Sequence, residues 1–254
     1  MSMVMSRHVF TSESVSEGHP DKVCDQISDS VLDCCLAQDP ESRVACEVLA
    51  TTDFIVLSGE ITSTAKVDYA AIARQVVRDI GYNDPELGFS ADTAEILVKI
   101  HAQSPDISLG VTAATSQTGE QGAGDQGMMF GFACSDTPEL MPAPIFYAHK
   151  IMARLAELRH SDPKKYAFLR PDAKSQVSLW YENGRPVGLK SLVVSHQHIP
   201  EMREEQLRAL VAQVAQEILP AAWVSQLSPK DYLINPTGRF VQGGPMGDTG
   251  LTGR

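Results

Sequence analysis

The chain has no run of basic residues. Its 254 positions carry 21 Lys and Arg against 32 Asp and Glu, a formal net charge of −11. A nucleic acid or an anionic membrane is held by a clustered positive footprint, so neither is an expected partner. Cysteine is scarce: Cys24, Cys34, Cys35, Cys46 and Cys134 show no CxxC spacing, which argues against a disulfide framework and a zinc site. Most lie among apolar neighbours and read as small core residues of a reducing compartment. No stretch approaches membrane-spanning length, and Met1–Val9 lacks the apolar core of a signal peptide. A soluble, cytoplasmic protein is the expectation. Two phosphate-binding signatures are also missing, the GxxxxGK[ST] loop and a GxGxxG opening a βαβ unit. What remains is ordinary globular composition, 43% hydrophobic and 21% charged. A chain of this length buries roughly 70–75% of its unfolded surface without staples. An anionic ligand would need local cations or metal ions to hold it.

The hydrophobic pattern runs through one order of elements twice. Pro20 to Gln38 has Val23, Ile27, Val31 and Cys34 or Cys35 at helical spacing, with Pro20 suited to the first position and Asp21 to the first turn. Strands are expected at Arg43–Ala50 and Phe54–Thr62, a helix from about 67 to 80 stopped by Gly81, and a strand at Ile96–Ile100. The second pass gives a helix at about 144–159, strands at Gln176–Glu182 and Val187–Ser195 around Asn183-Gly184, a helix from Glu201 to Leu219 before Pro220, and a strand at Tyr232–Ile234. The expectation is an α+β fold of two similar helix–hairpin–helix–strand units with antiparallel sheets. Helices on one side of each sheet leave the other face to be covered by the other unit or another subunit. The Gly-, Ser- and Gln-rich stretch from Gln103 to about 136 is too long for an ordinary connection. It reads as a mobile lid followed by a structured glycine loop, or as a plain linker.

Four motifs can carry chemistry. In Ser14-Val-Ser-Glu-Gly-His-Pro-Asp-Lys22, His19 and Asp21 bracket the proline that starts a helix. Unpaired N–H groups there favour phosphate, histidine can donate to a leaving oxygen, and aspartate can hold magnesium. Plain helix-start chemistry would look the same. In Glu120-Gln-Gly-Ala-Gly-Asp-Gln-Gly-Met128, glycines allow close approach and Asp125 supplies a carboxylate, although a tight turn has similar composition. In Leu169-Arg-Pro-Asp-Ala-Lys-Ser-Gln176, Lys174 stands at the entrance to a strand, placed to reach a ligand or to guard an edge. The run Ile234 to Arg254 carries Arg239, Asp248 and Arg254 among recurring glycines, with hydroxyls and N–H groups suited to phosphate oxygens. A disordered tail is the other reading, against which Phe240, Val241 and Leu251 argue. Glu47 and Glu60 lie in or beside β-rich runs, where solvent-facing positions also explain them.

Taken together, FTSESVSEGHPDK, RVACE, SGEIT, QSPDI, EQGAGDQG, LMPAPI, LRPDAKSQV and INPTGRFVQGGPMGDTGLTGR, in this order from about His8 to Arg254, resemble S-adenosylmethionine synthetase (methionine adenosyltransferase). The resemblance implies an enzyme that joins the methionine sulfur to the ribose C5′ of ATP, expels tripolyphosphate, and hydrolyses it to pyrophosphate and phosphate. It implies ATP and L-methionine as substrates, Mg2+ and K+ as cofactors, and a homodimer or homotetramer with shared sites. Carried over by position, His19 contacts the triphosphate and assists the leaving O5′, Asp21 is a magnesium ligand and Glu47 a potassium ligand. Glu60 and Gln103 match methionine-binding positions, and Asp125 and Asp248 match carboxylates on the ammonium or ribose side. Lys174 and Arg254 match phosphate contacts. Asp172, Arg239 and Phe240 match the nucleotide site, with Phe240 stacking on adenine.

The resemblance implies a fold of three similar units, of which two are expected here. The N-terminal α+β domain would span 7–106, the lid or linker 107–123, the central α+β domain 124–242, and the start of a third domain 243–254. A lysine expected after Arg254 and a later GGGAFSGKD-type segment are not in the sequence, which reads as truncated. A non-catalytic nucleotide-binding or subunit-interaction module is the alternative function.

Overall fold

A computed structural model describes residues 7–103, 119, 128–225 and 228–253. Strand β1 (Arg7–Val15) is followed by α1 (Pro20–Gln38), β2 (Arg43–Thr51), β3 (Phe54–Thr62), α2 (Tyr69–Ile80) and β4 (Glu95–His101). The second half contains α3 (Ala143–Ser161), β5 (Leu169–Glu182), β6 (Arg185–His198), α4 (Glu204–Ile218), the short α5 (Ala221–Val224), β7 (Tyr232–Ile234) and β8 (Gly250–Leu251). The expected α+β class and the doubled element order are both present.

Each half builds a four-stranded sheet, in the orders β4-β3-β2-β8 and β7-β6-β5-β1. The expected antiparallel sheets need correction, because β4 runs parallel to β3 and β7 parallel to β6. A helix between two neighbouring strands returns the chain to the end from which it started, so the second strand must run parallel. The fourth strand in each sheet comes from outside its unit. β1 pairs antiparallel with β5, and β8, from the far end of the chain, pairs with β2 through Leu49–Leu251 and Ala50–Gly250. The two halves are therefore cross-braced by the segments that surround the motifs.

Local sequence accounts for most element ends. His19 caps α1, Pro20 opens it, and Val23, Ile27, Val31 and Cys35 face inward. Asp68 accepts the Ala71 N–H at 3.0 Å to start α2, and Gly81 ends it in the left-handed conformation at φ 107°. Asn183 and Gly184 take φ values of 51° and 76°, the turn that matches strand twist. One core packs α1 and α2 on Cys46, Val48, Ile55 and Leu57; the other packs α3 and α4 on Val177, Leu179, Leu192 and Val194. Each such fully buried Leu, Ile or Val contributes about 1.5–3 kcal/mol. All five cysteines are unbridged, and burial raises the Cys24 thiol to about 12, leaving it inert.

The seam between the halves is polar and specific. Glu17 accepts from Arg159 and pairs with His160 at 2.7 Å, while Arg159 also donates to the Ile80 carbonyl at 2.6 Å. Within the first half, the buried Tyr82 hydroxyl donates to the Gly18 carbonyl at 2.6 Å. At the end of β7, Asn235 adopts φ 42°. Its Oδ1 accepts the His196 N–H at 2.7 Å and its Nδ2 donates to the His196 carbonyl at 3.1 Å, which anchors the glycine-rich run to β6.

Two stability measurements check this account. Asn235→Ala strands both buried His196 backbone groups and places alanine in the left-handed region; urea unfolding should show a loss of about 3 kcal/mol. His196 is fully buried, and desolvation lowers its pKa from 6.5 to about 4. The unfolded chain therefore takes up this proton first as pH falls. Stability contributed by His196 is complete above pH 6.5 and declines toward pH 4, by about 3 kcal/mol in all. Denaturation midpoints across that interval should fall more steeply for the wild type than for His196→Gln.

Candidate active site

The first turn of α1 is the point at which four segments meet. Ser16 donates its hydroxyl to the Pro171 carbonyl at 2.7 Å and accepts the Ala173 N–H at 2.8 Å. Its own N–H donates to the Ala173 carbonyl at 2.9 Å. This stitch brackets Asp172 and sets it beside His19. From the other side, the Gly244 N–H donates to Asp172 Oδ2 at 2.8 Å. The Leu251 N–H donates to Asp21 Oδ1 at 3.1 Å, and the Gly253 N–H to Asp25 Oδ1 at 2.9 Å.

Gly250 makes that docking possible. A side-chain carbon at this position would lie 2.2 Å from the Pro20 carbonyl carbon, well inside contact distance, so no larger residue lets the run approach α1 this closely. Thr252 fastens the end of the run to β2: its N–H donates to the Val48 carbonyl at 3.0 Å and its hydroxyl donates to Glu47.

His19 is buried, and its Nδ1 accepts the Asp21 N–H at 3.3 Å. With Nδ1 an acceptor, the neutral ring carries its proton on Nε2, where it can be donated to a ligand oxygen. Burial is the largest influence on this ring and keeps its pKa below 6.5, with Lys174 adding to the shift; Asp172, Asp21 and Asp248 oppose it. Asp172 is 5% exposed, and burial raises its carboxyl above 3.8, with Asp248 adding to the shift against Gly244, His19 and Lys174. Its Oδ1 is buried without a hydrogen-bond partner among the described residues. A buried carboxylate oxygen left unpaired in this way is costly unless a ligand satisfies it.

The structure thus brings His19, Asp21, Asp172, Lys174 and Asp248 into one electrostatic group, with Lys174 exposed on β5 opposite Val15. Phe240 belongs beside it. A carbon added at Gly243 would meet Phe240 Cε2 at 2.6 Å and Asp172 Oδ2 at 3.1 Å. Arg239 points elsewhere, lining an open cleft of about 300 Å³ with His198, Glu204 and Asn235. Glu47 reaches the group indirectly, through Thr252 and the glycine run. Glu60 instead pairs with His101 at 3.2 Å, and Gln103 accepts from Arg43 at 3.3 Å. Asp125 and Arg254 lie outside the described residues, as does nearly all of the expected lid.

Gln197, His198, Asn235 and Thr252 are site-building residues that the sequence reading did not single out. The first two are buried polar residues at the end of β6. A polar run directly after a hydrophobic strand, facing a glycine-rich segment later in the chain, is the one signal that points to them.

Among the described residues, no three His, Cys, Asp or Glu side chains are grouped to hold a metal ion alone. The oxygen donors present nevertheless suit magnesium, which takes one or two carboxylates and completes its shell with water and phosphate oxygens. Asp21, Asp172 and Asp248 offer that chemistry next to a single lysine. No helix among the described residues is long and apolar enough to cross a membrane.

Comparison with known families finds matches to both halves of the chain. The family model of the S-adenosylmethionine synthetase N-terminal domain matches residues 7–105, and that of the central domain matches residues 120–240. The first includes the His19 cap and the second includes Asp172, Lys174 and Phe240. The chain belongs to the S-adenosylmethionine synthetase family.

Proposed function

We propose that this chain carries the ATP-binding and leaving-group side of a methionine adenosyltransferase, which forms S-adenosylmethionine from ATP and L-methionine. The observation that carries the reading is the convergence of a capped helix N-terminus, a lysine and an unsatisfied buried carboxylate oxygen on one spot. In this reading the Nε2–H of His19 faces the oxygen that leaves C5′ and donates to it as negative charge develops. Lys174 and Arg254 contact phosphate oxygens, Asp172 and Phe240 hold the nucleoside, and Asp125 and Asp248 serve the ribose or ammonium side. Arg239 serves the nucleotide from its neighbouring cleft.

Among the described residues of the group, three carboxylates stand against one lysine and would weaken binding of a bare triphosphate. Asp21 would hold Mg2+, with Asp248 near, and Glu47 with the Thr252 hydroxyl would offer oxygens to K+. Bound there, a divalent cation would supply the positive charge that the side chains lack. Glu60 and Gln103 would bind methionine. Both take their described contacts away from the His19 group, which supports a site completed by a second copy.

The sheet face opposite α1 and α2 supports that assembly. Leu97, Val56, Leu49 and Leu251 stand in register across all four strands. They alternate with core residues, and Leu97 and Leu251 are exposed by 38% and 56%. Glu60 shares this outward face with the row, so stacking of two copies on it would carry Glu60 toward the partner's site.

The reaction assay is formation of S-adenosylmethionine from ATP and methionine with Mg2+ and K+. His19→Ala should lower turnover by about 10²–10⁴-fold, while loss of the helix cap lowers the melting temperature by only about 2–4 °C; near-normal turnover would remove the proposed role. Leu97→Glu, on the edge strand opposite β8, should convert the oligomer to monomer by native mass spectrometry and abolish turnover together. A monomeric variant with full turnover would show that each chain's site is complete by itself.

A further inference from the structure

Two consecutive residues at the end of β6 grip two consecutive residues of the glycine-rich run. Gln197 is fully buried; its Nε2 donates to the Val241 carbonyl at 3.0 Å and its Oε1 accepts the Asp172 N–H at 3.4 Å. His198 holds Phe240 twice. Its backbone N–H donates to the Phe240 carbonyl at 3.0 Å, and its ring Nε2 accepts the Phe240 N–H at 3.0 Å. Its Nδ1 lies 2.7 Å from the Ile199 carbonyl. A carbonyl only accepts, so Nδ1 carries the proton and Nε2 is left as the acceptor Phe240 requires. The ring is 4% exposed, and water cannot readily take its place.

We infer that His198 is a positioning residue for nucleotide recognition: its neutral ring fixes the Phe240 peptide so that the phenyl group stands beside Asp172. This inference rests on the proposed assignment of Phe240 and Asp172 to the nucleoside. The phosphate side is built separately, from the α1 cap, Lys174 and the 247–253 stretch. Gln197 reinforces the nucleoside side, because one side chain ties the Asp172 backbone to the segment that carries Phe240. Loosening the His198 clasp therefore costs recognition of the nucleoside and leaves recognition of the phosphate chain.

The test uses the full chain with Mg2+ and compares binding of ATP with binding of inorganic tripolyphosphate by calorimetry. His198→Asn retains a donor for the Ile199 carbonyl but is too short to accept from Phe240. His198→Gln places Oε1 near the position of Nε2. The Asn variant should bind ATP about tenfold more weakly and tripolyphosphate as the wild type does, with faster hydrogen exchange at the Phe240 amide. The Gln variant should recover most of the ATP affinity and slow that exchange again. Wild-type ATP affinity in His198→Asn would overturn the inference alone. Equal weakening toward both ligands would overturn it in favour of a general structural role. A wild-type chain that binds tripolyphosphate but not ATP would overturn the nucleoside assignment and the inference with it.

Discussion

The structure depends on the docking of one glycine-rich segment against the start of one helix. Residues 243–253 reach back to α1 and β5 through the Gly244 bond to Asp172, the Leu251 bond to Asp21 and the Gly253 bond to Asp25. Without that contact, the Gly244 bond to Asp172 and the Leu251 bond to Asp21 would both be lost. With it, Asp172 is buried, one of its oxygens has no partner among the described residues, and the α1 N-terminus becomes the floor of the candidate site. The same contact adds β8 to the first sheet, so assembly of the site and completion of that sheet are one event.

Electrostatics gives the site its chemical character. In the proposed reading, a chain with a net charge of −11 has to bring the polyanionic triphosphate of ATP close to its own acids. Here Asp21, Asp172 and Asp248 surround a neutral His19 and one Lys174. Burial disfavours charge on both His19 and Asp172, which leaves a proton donor and an acceptor in place with Lys174 as the cation of the described group. In the proposed reading, a cation bound with the nucleotide would offset the acids and make binding selective for the metal complex over the bare anion.

Elements that bury a periodic apolar face were legible in the sequence. α1 came with its observed ends because Pro20 and Asp21 mark its start and Val23, Ile27 and Val31 repeat at helical spacing. The β5–β6 turn was written in Asn183-Gly184. β1 was not legible, because it is an edge strand held by backbone pairing with mostly exposed side chains. β8 is two residues long within a glycine run and exists only because Leu251 finds Leu49. β5 begins at Leu169, seven residues before the expected start at Gln176, because its first half trades apolar alternation for Pro171, Asp172 and Lys174. The part of the strand that carries the candidate chemistry is the part that does not look like strand. The motifs singled out His19, Asp21, Lys174 and Asp248 one by one, and the family resemblance added Asp172. Their meeting rests on Ser16 and Gly244, whose hydrogen bonds link residues far apart in sequence and leave no local pattern.

Hydrogen exchange of the backbone amides, with and without ATP and Mg2+, tests most directly whether the docked run and the helix start form one ligand site. Protection should rise together at residues 18–23, 171–174 and 243–253 and depend on the presence of both ATP and Mg2+. Protection confined to other parts of the chain, or present at the helix start while 243–253 exchanges unchanged, would contradict a site built by that docking.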